Sequence, residues 1–273
     1  MITSTRLTRI SLLTGLLVLA PAVFQAETQS GIDPEALITG ILAVDSKQQS
    51  AITDLVFDAE CVEGKIEGDG SFKEEERFLK RIYIKYLPDT AWYHEEYVEY
   101  YKNGELQDPS RRDKVASERL NKKKNRTTHD ISYPILRPFY PDFRDHYDIT
   151  YEGVAPEKIN EYVCHYFRVR AKDKHKDLIN GDYYFEAESF HLVRVDFSPA
   201  ELMKKTMFRL NRLDMSIQYA PNQDGFWLPR QFDVEGKGKA ALLFGVEFAG
   251  KEYYRNPRIN SGINAEIFEV NDD

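Results

Sequence analysis

The chain has 273 residues, 30% charged and 42% hydrophobic, which suits one large domain or two small ones able to hide roughly three quarters of their unfolded surface. Its formal charge of −8 argues against a protein built around nucleic acid. The aromatic content is high, with 17 Tyr, 16 Phe and 2 Trp.

Arg6 and Arg9 precede an apolar run, ISLLTGLLVLAPAVF, which gives way at once to polar ETQS, the pattern of an export signal. A spanning helix needs about 20 apolar residues, and Pro21 interrupts this run, so an uncleaved anchor is the weaker reading. Ala20-Pro21-Ala22 supplies small residues for cleavage and predicts a mature start between residues 23 and 27. The expected organisation is a signal peptide over 1–26 and a single domain over 27–273. No cysteine lies near the cleavage site, so there is no thiol to acylate. Cys61 and Cys164 are the only cysteines, and an oxidising compartment permits their pairing without requiring it.

Asp33 is a good N-cap, Pro34 fits the first helical position, and Leu37, Ile38, Ile41 and Leu42 recur on one face, which predicts an amphipathic helix. From residue 52 the period changes to two. Ile82, Ile84 and Tyr86 share a face, and Asn103-Gly104 is a two-residue hairpin signal because both positions tolerate positive φ. The segment from Ser110 to Arg126 then breaks the pattern with eight Lys or Arg against two acids, a local +6 that leaves −14 elsewhere. This basic insertion, around 108–128, reads either as a solvated polar segment or as a patch that meets an anionic lipid surface through Arg111, Arg112, Lys122, Lys123 and Lys124.

Alternation resumes at 162–171, where Val163, His165, Phe167 and Val169 share a face, and again at Val193, Val195 and Phe197. Between those runs, Glu186-Ala187-Glu188-Ser189 has the length of a hairpin loop, and two acids so placed do not face each other across a cleft as a catalytic pair must. Ser198-Pro199-Ala200-Glu201 matches a capping box and predicts a short helix. Met215, Ile217 and Tyr219 follow, then a turn at Asn222-Gln223-Asp224-Gly225, and Leu242, Phe244, Val246 and Phe248 close the series.

The six histidines have no metal-ligand spacing, and there is no nucleophile elbow, phosphate loop or dinucleotide fingerprint. The densest polar cluster is Asp142, Asp145, His146 and Asp148, which reads as exposed acids at a strand entry. The sequence thus predicts no catalytic residue, no metal and no cofactor. A large antiparallel sheet with too few helices to cover its apolar side must fold over as a sandwich or curl around its own interior. A curled sheet left partly unfilled would hold a greasy ligand.

The order of elements resembles the LolA-type periplasmic carriers and the broader outer-membrane lipoprotein-sorting family. The likeness is carried by the opening helix, by the hairpin at Asn103-Gly104, and by YVCHYFRV, GDYYFEAESFHLVRVDF and DGFWLPRQFDVEGKGKAALLFGVEFAGKEY, with INSGINAEIF as the closing segment. The resemblance implies a mainly β fold, a curved antiparallel half-barrel whose open side is covered by the N-terminal helix and short helices. It also implies an apolar cavity lined by the alternating faces above, with the helix bearing Leu37, Ile38, Ile41 and Leu42 as a lid. The expected protein is a periplasmic monomer that binds acyl chains of lipoproteins or lipids for transport or sorting to the outer membrane. Its expected partners are a membrane transporter or an outer-membrane acceptor, with no nucleic acid and no catalysis. The rivals are an envelope assembly module with a solidly packed barrel, and a hydrolase using the Asp142 to Asp148 cluster. Family carriers latch the lid with an arginine, for which Arg77 and Arg81 are both candidate positions.

Overall fold

The computed structural model describes residues 31–87, 91–124, 135–205, 208–240 and 244–268. Helix α1 (Pro34–Ala51) starts where the sequence places it: Asp33 accepts a hydrogen bond from the Glu35 amide at 3.0 Å, and Pro34 occupies the first turn. The strands follow as β1 (Asp54–Ile66), β2 (Phe72–Tyr86), β3 (Ala91–Lys102) and the two-residue β4 (Glu105–Leu106). After helix α2 (Pro109–Lys124), a 3-10 turn at Arg137–Phe139 and the single turn α3 (Pro141–Arg144) come β5 (Tyr147–Val154), β6 (Cys164–Ala171), β7 (Ile179–Glu186) and β8 (Leu192–Pro199). The minor β9 (Lys204–Lys205) and three long strands, β10 (Phe208–Pro221), β11 (Trp227–Ala240) and β12 (Phe244–Ile259), complete the series.

These strands form one curved antiparallel sheet in the order β4-β3-β2-β1-β12-β11-β10-β8-β7-β6-β5, with β9 paired to β10. The outer strands β4 and β5 do not pair among the described residues, so the sheet is an open half-barrel. Its two halves meet where β12 lies between β1 and β11. The turn residues do what their chemistry predicts. Asn103 and Gly104 take φ of 51° and 82° between β3 and β4, and the Asn222 side chain accepts from the amides of Asp224 and Phe226 at the β10–β11 hairpin.

Three expectations meet a different outcome or an open one. No helix forms at Ser198–Glu201, because β8 runs through Pro199 and Ser198 pairs with Asn180 of β7, which commits that backbone to the ladder. The basic segment is helical, as α2, up to Lys124, while 125–134 lie outside the described residues, as do the signal-like residues 1–30. Cys61 and Cys164 are both free thiols, on β1 and β6.

The concave side is covered by two groups of helices. On the β5–β8 side, Leu37, Ile38 and Ile41 of α1 pack with Phe139, Phe167, Val169, Tyr183, Phe185 and Val195 in the main core. On the β1–β3 side, α2 lies over a second, more polar surface.

Candidate functional site: a roofed cleft on the concave face

The first half of α1 is embedded in the core, but its second half bridges a gap. Beneath it lies a cleft of about 790 Å³ between the helix and the concave sheet. Ile52, Leu55, Phe57, Ile84, Leu192, Trp227, Leu228 and Pro229 line it on the sheet side, and Ile41 and Val44 on the helix side. Gly40 allows α1 to come this low, since a Cβ there would lie 3.1 Å from the Phe190 ring. The helix is held at several points. Gln48 donates to the Trp227 carbonyl at 2.9 Å and accepts from the Trp227 amide at 2.8 Å, so one side-chain amide pairs with β11 as a strand residue would. Arg144 of α3 makes a forked ion pair with Glu35, and Tyr140 donates to Asp45 at 2.5 Å.

The polar groups around the cleft are few: Asp45, Gln48 and Gln49 on the helix, Tyr86 and Tyr219 on the sheet, and His191, with Ser46 and Ser50 at the rim. Burial raises the Asp45 carboxyl despite the hydrogen bonds from Tyr140 and Gln49. Burial also pushes Tyr219 up, with the Asp45 charge adding to it. His191 stacks on Trp227 at 5.3 Å, and burial lowers its pKa, so its ring is neutral at pH 7. Its Nδ1 is buried without a hydrogen-bond partner among the described residues.

The alternating side chains singled out in the sequence fall into distinct places. Ile84 and Tyr86 face the cleft, and Ile41 roofs it. Ile82, Phe167, Val169 and Val195 are packed shut in the cores, and Phe197 is half-buried against the main one. Val193 packs with Cys164 and Trp227, and Val163 is 46% exposed. Val246 and Phe248 are half-buried on β12, whereas Leu242 and the Phe244 side chain lie outside the described residues. Leu37, Ile38 and Leu42 pack into the main core.

The concave face toward β3 is charged rather than apolar. Lys80, 7% exposed, lies 2.8 Å from both Glu95 and Glu252, and Tyr93 and Tyr97 also donate to Glu95. Burial alone would lower Lys80, but the two carboxylates outweigh it and hold the ammonium charged. Nearby, burial pushes the Cys61 thiol up to about 12, which makes it a poor nucleophile. The sequence hid this cluster in plain parity, since Lys80 shares its strand face with Phe78, Ile82 and Ile84.

Helix α2 closes over the same region. Arg119 forks onto Glu63 at 2.7 Å, reaches Glu76 at 2.8 Å, and lies 4.1 Å above the Phe78 ring. Arg112 donates to the Val98 carbonyl of β3, while Arg111 is exposed. The side chains of Lys122, Lys123 and Lys124 are outside the described residues. Arg77 and Arg81 sit on the opposite, convex face, where Arg81 pairs with Asp58 at 3.0 Å. Asp142, Asp145, His146 and Asp148 are all exposed, and no group of residues suited to a metal occurs among the described residues. The Glu186 carboxylate accepts from the Glu188 and Ser189 amides, and these bonds hold its pKa low against the effect of burial. It is a turn-building residue.

Three similar solved structures come from bacteria. An outer membrane lipoprotein-sorting protein domain from Vibrio parahaemolyticus is 10% identical, with a TM-score of 0.45, over 85% of this chain and 97% of that one. A DUF1329 family protein from Desulfovibrio piger is 13% identical, with a TM-score of 0.43, over 87% and 98%. A LolA superfamily protein from Nitrosomonas europaea is 12% identical, with a TM-score of 0.35, over 84% and 97%. No protein-family model matches the chain, and no curated protein does either. Among the described residues, no helix is long and apolar enough to cross a membrane.

Proposed function

We propose that the cleft holds an acyl chain and that the protein is a periplasmic carrier of lipid or lipoprotein acyl chains, without catalysis of its own. The observation that supports this reading is a largely apolar space of about 790 Å³ left open beneath α1. Each methylene moved from water into such a space contributes about 0.8 kcal/mol, so a partly enclosed long chain gains enough to survive purification. A membrane transporter or an outer-membrane acceptor would load and unload it, and the export-signal pattern of the first residues fits that compartment.

Protein purified from its native host and extracted with organic solvent should release lipid in near-stoichiometric amount. Ile84→Glu should weaken binding of a fluorescent fatty-acyl probe at least tenfold while the protein stays folded, because a carboxylate there would be desolvated without a partner. Protein that carries no lipid and ignores the probe would overturn the carrier reading.

A further inference from the structure

Phe190 lies in the hairpin loop between β7 and β8, and its φ of 61° puts a bulky side chain in the left-handed region that favours glycine. The loop is held firmly in that shape. The Phe190 amide donates to the Glu186 carbonyl at 2.9 Å, the Glu186 amide donates to the His191 carbonyl at 2.9 Å, and the Glu186 carboxylate accepts from the Glu188 and Ser189 amides. Glycine would close this turn without strain, so the turn gives no reason for a phenyl ring at this position. Backbone strain of this kind clusters where a side chain must be presented to a ligand.

The ring has a defined seat. It lies against α1, where a Cβ on Gly40 would come within 3.1 Å of its Cδ2, and it runs nearly parallel to the buried His165 ring, 6.2 Å away and inclined by 18°. It also lines the cleft, at the point where α1 begins to do so with Ile41.

The two ends of the cleft differ. Helix α1 lines it from Ile41 to Ser50, which is about 14 Å of helix. At the Ile41 end the lining merges with the main core: Ile41 is 1% exposed, Leu136 and Leu192 are buried in the same cluster, and Phe190 packs against it. At the other end Gln49 and Ser50 are exposed, and Tyr86 is 41% exposed. An acyl guest thus has a solvated end for its head group and a buried end for its terminal methyl.

We propose that Phe190 is the end wall of the cleft and sets the length of acyl chain that it accepts, an inference that rests on the acyl-binding reading above. The strained turn presents the ring to the chain terminus, and removal of the ring would extend the cleft toward His165.

The test titrates saturated monoacyl phosphocholines, with chains of about ten to about twenty carbons and each below its micellar concentration, against a fluorescent fatty-acyl probe bound to lipid-stripped protein. Each methylene that enters the cleft should raise affinity about fourfold, and each one beyond the length that reaches Phe190 less than about twofold. Phe190→Gly, which suits the backbone of the turn, should move this break to chains at least two carbons longer without changing the slope below it. Phe190→Asn, whose short side chain also tolerates the left-handed region, should move it likewise and serves if the glycine variant does not fold. A break that stays at the same length in the folded variants, even with weaker binding at every length, would overturn the end wall and leave the acyl-binding reading standing. Affinity that climbs by the same factor through the longest chain in the unaltered protein would do the same. Failure of the probe and of every chain length to bind the unaltered protein would overturn the two together.

Discussion

At Lys80 the sheet interior holds a charge at a position that strand alternation would assign to an aliphatic side chain. The ammonium survives there because Glu95 and Glu252 each approach it at 2.8 Å. Removing it leaves buried carboxylates without their counter-charge, so Lys80→Ala should cost about 3–5 kcal/mol in urea denaturation. Histidines give the pH dependence its sign. Burial lowers His165 and His191 below the unfolded value of about 6.5, so the unfolded chain takes the proton first and stability falls as pH drops through and below that value. The urea midpoint should therefore be lower at pH 5.5 than at pH 7.5, and the difference should shrink in a variant carrying His165→Phe and His191→Phe. An undiminished difference would assign the effect elsewhere. Asp45 works in the opposite direction, since its raised pKa lets the folded state hold a proton that the unfolded state releases, an effect that belongs to more acid solutions. Strand parity was readable from the sequence at Lys80 and His165. What parity could not say is that a lysine would stay inside, because its two partners come from other strands.

Elements were legible where the determinant is local. The α1 cap, the Asn103-Gly104 and Asn222–Gly225 turns and the alternating strands all follow from neighbours a few residues apart. Helix α2 shows the limit. Its composition suggested a free basic surface, yet its Arg119 is tied to Glu63 and Glu76, which are 56 and 43 residues away in sequence. At Ser198 a capping pattern was overridden by ladder pairing with Asn180 on the neighbouring strand β7. Arg119→Gln should release α2. The forked pair is about a quarter exposed on the arginine side, so after solvent screening a loss of about 1–2 kcal/mol is expected. Hydrogen exchange should show α2 amides losing protection at least tenfold with the β6–β8 amides unchanged; equal protection in the variant would mean that other contacts hold the helix.

For the whole molecule, β12 is the seam. It pairs with β1, the first strand, so the chain must bring its two ends together before the halves can share one sheet, and such non-local pairing makes folding slow. Just past the seam, buried Asp54 accepts from the Ser261 amide at 2.7 Å, the Ser261 hydroxyl at 2.9 Å and the Gly262 amide at 3.0 Å. Asn260, with φ of 54°, adds bonds to Thr53 and to the Ala51 carbonyl. Asp54→Ala strands two backbone donors and should cost about 2–4 kcal/mol, seen as a lower melting temperature and earlier exchange along β1 and β12. Strand count against helix count left a sandwich and a curled sheet both open, and only the family resemblance pointed to the curl. The location of the empty space was not legible, because it depends on where α1 stops filling the concavity.

That helix has a mechanical consequence. Its first half is anchored by buried apolar side chains, and its last turns are pinned by Gln48 to β11 and by Asn260 at the Ala51 carbonyl. Supported at both ends, α1 spans the cleft as a beam spans a gap. On the acyl-carrier reading proposed above, a guest would enter and leave lengthwise along the walls, and its residence time would grow with the length of tail to be drawn out.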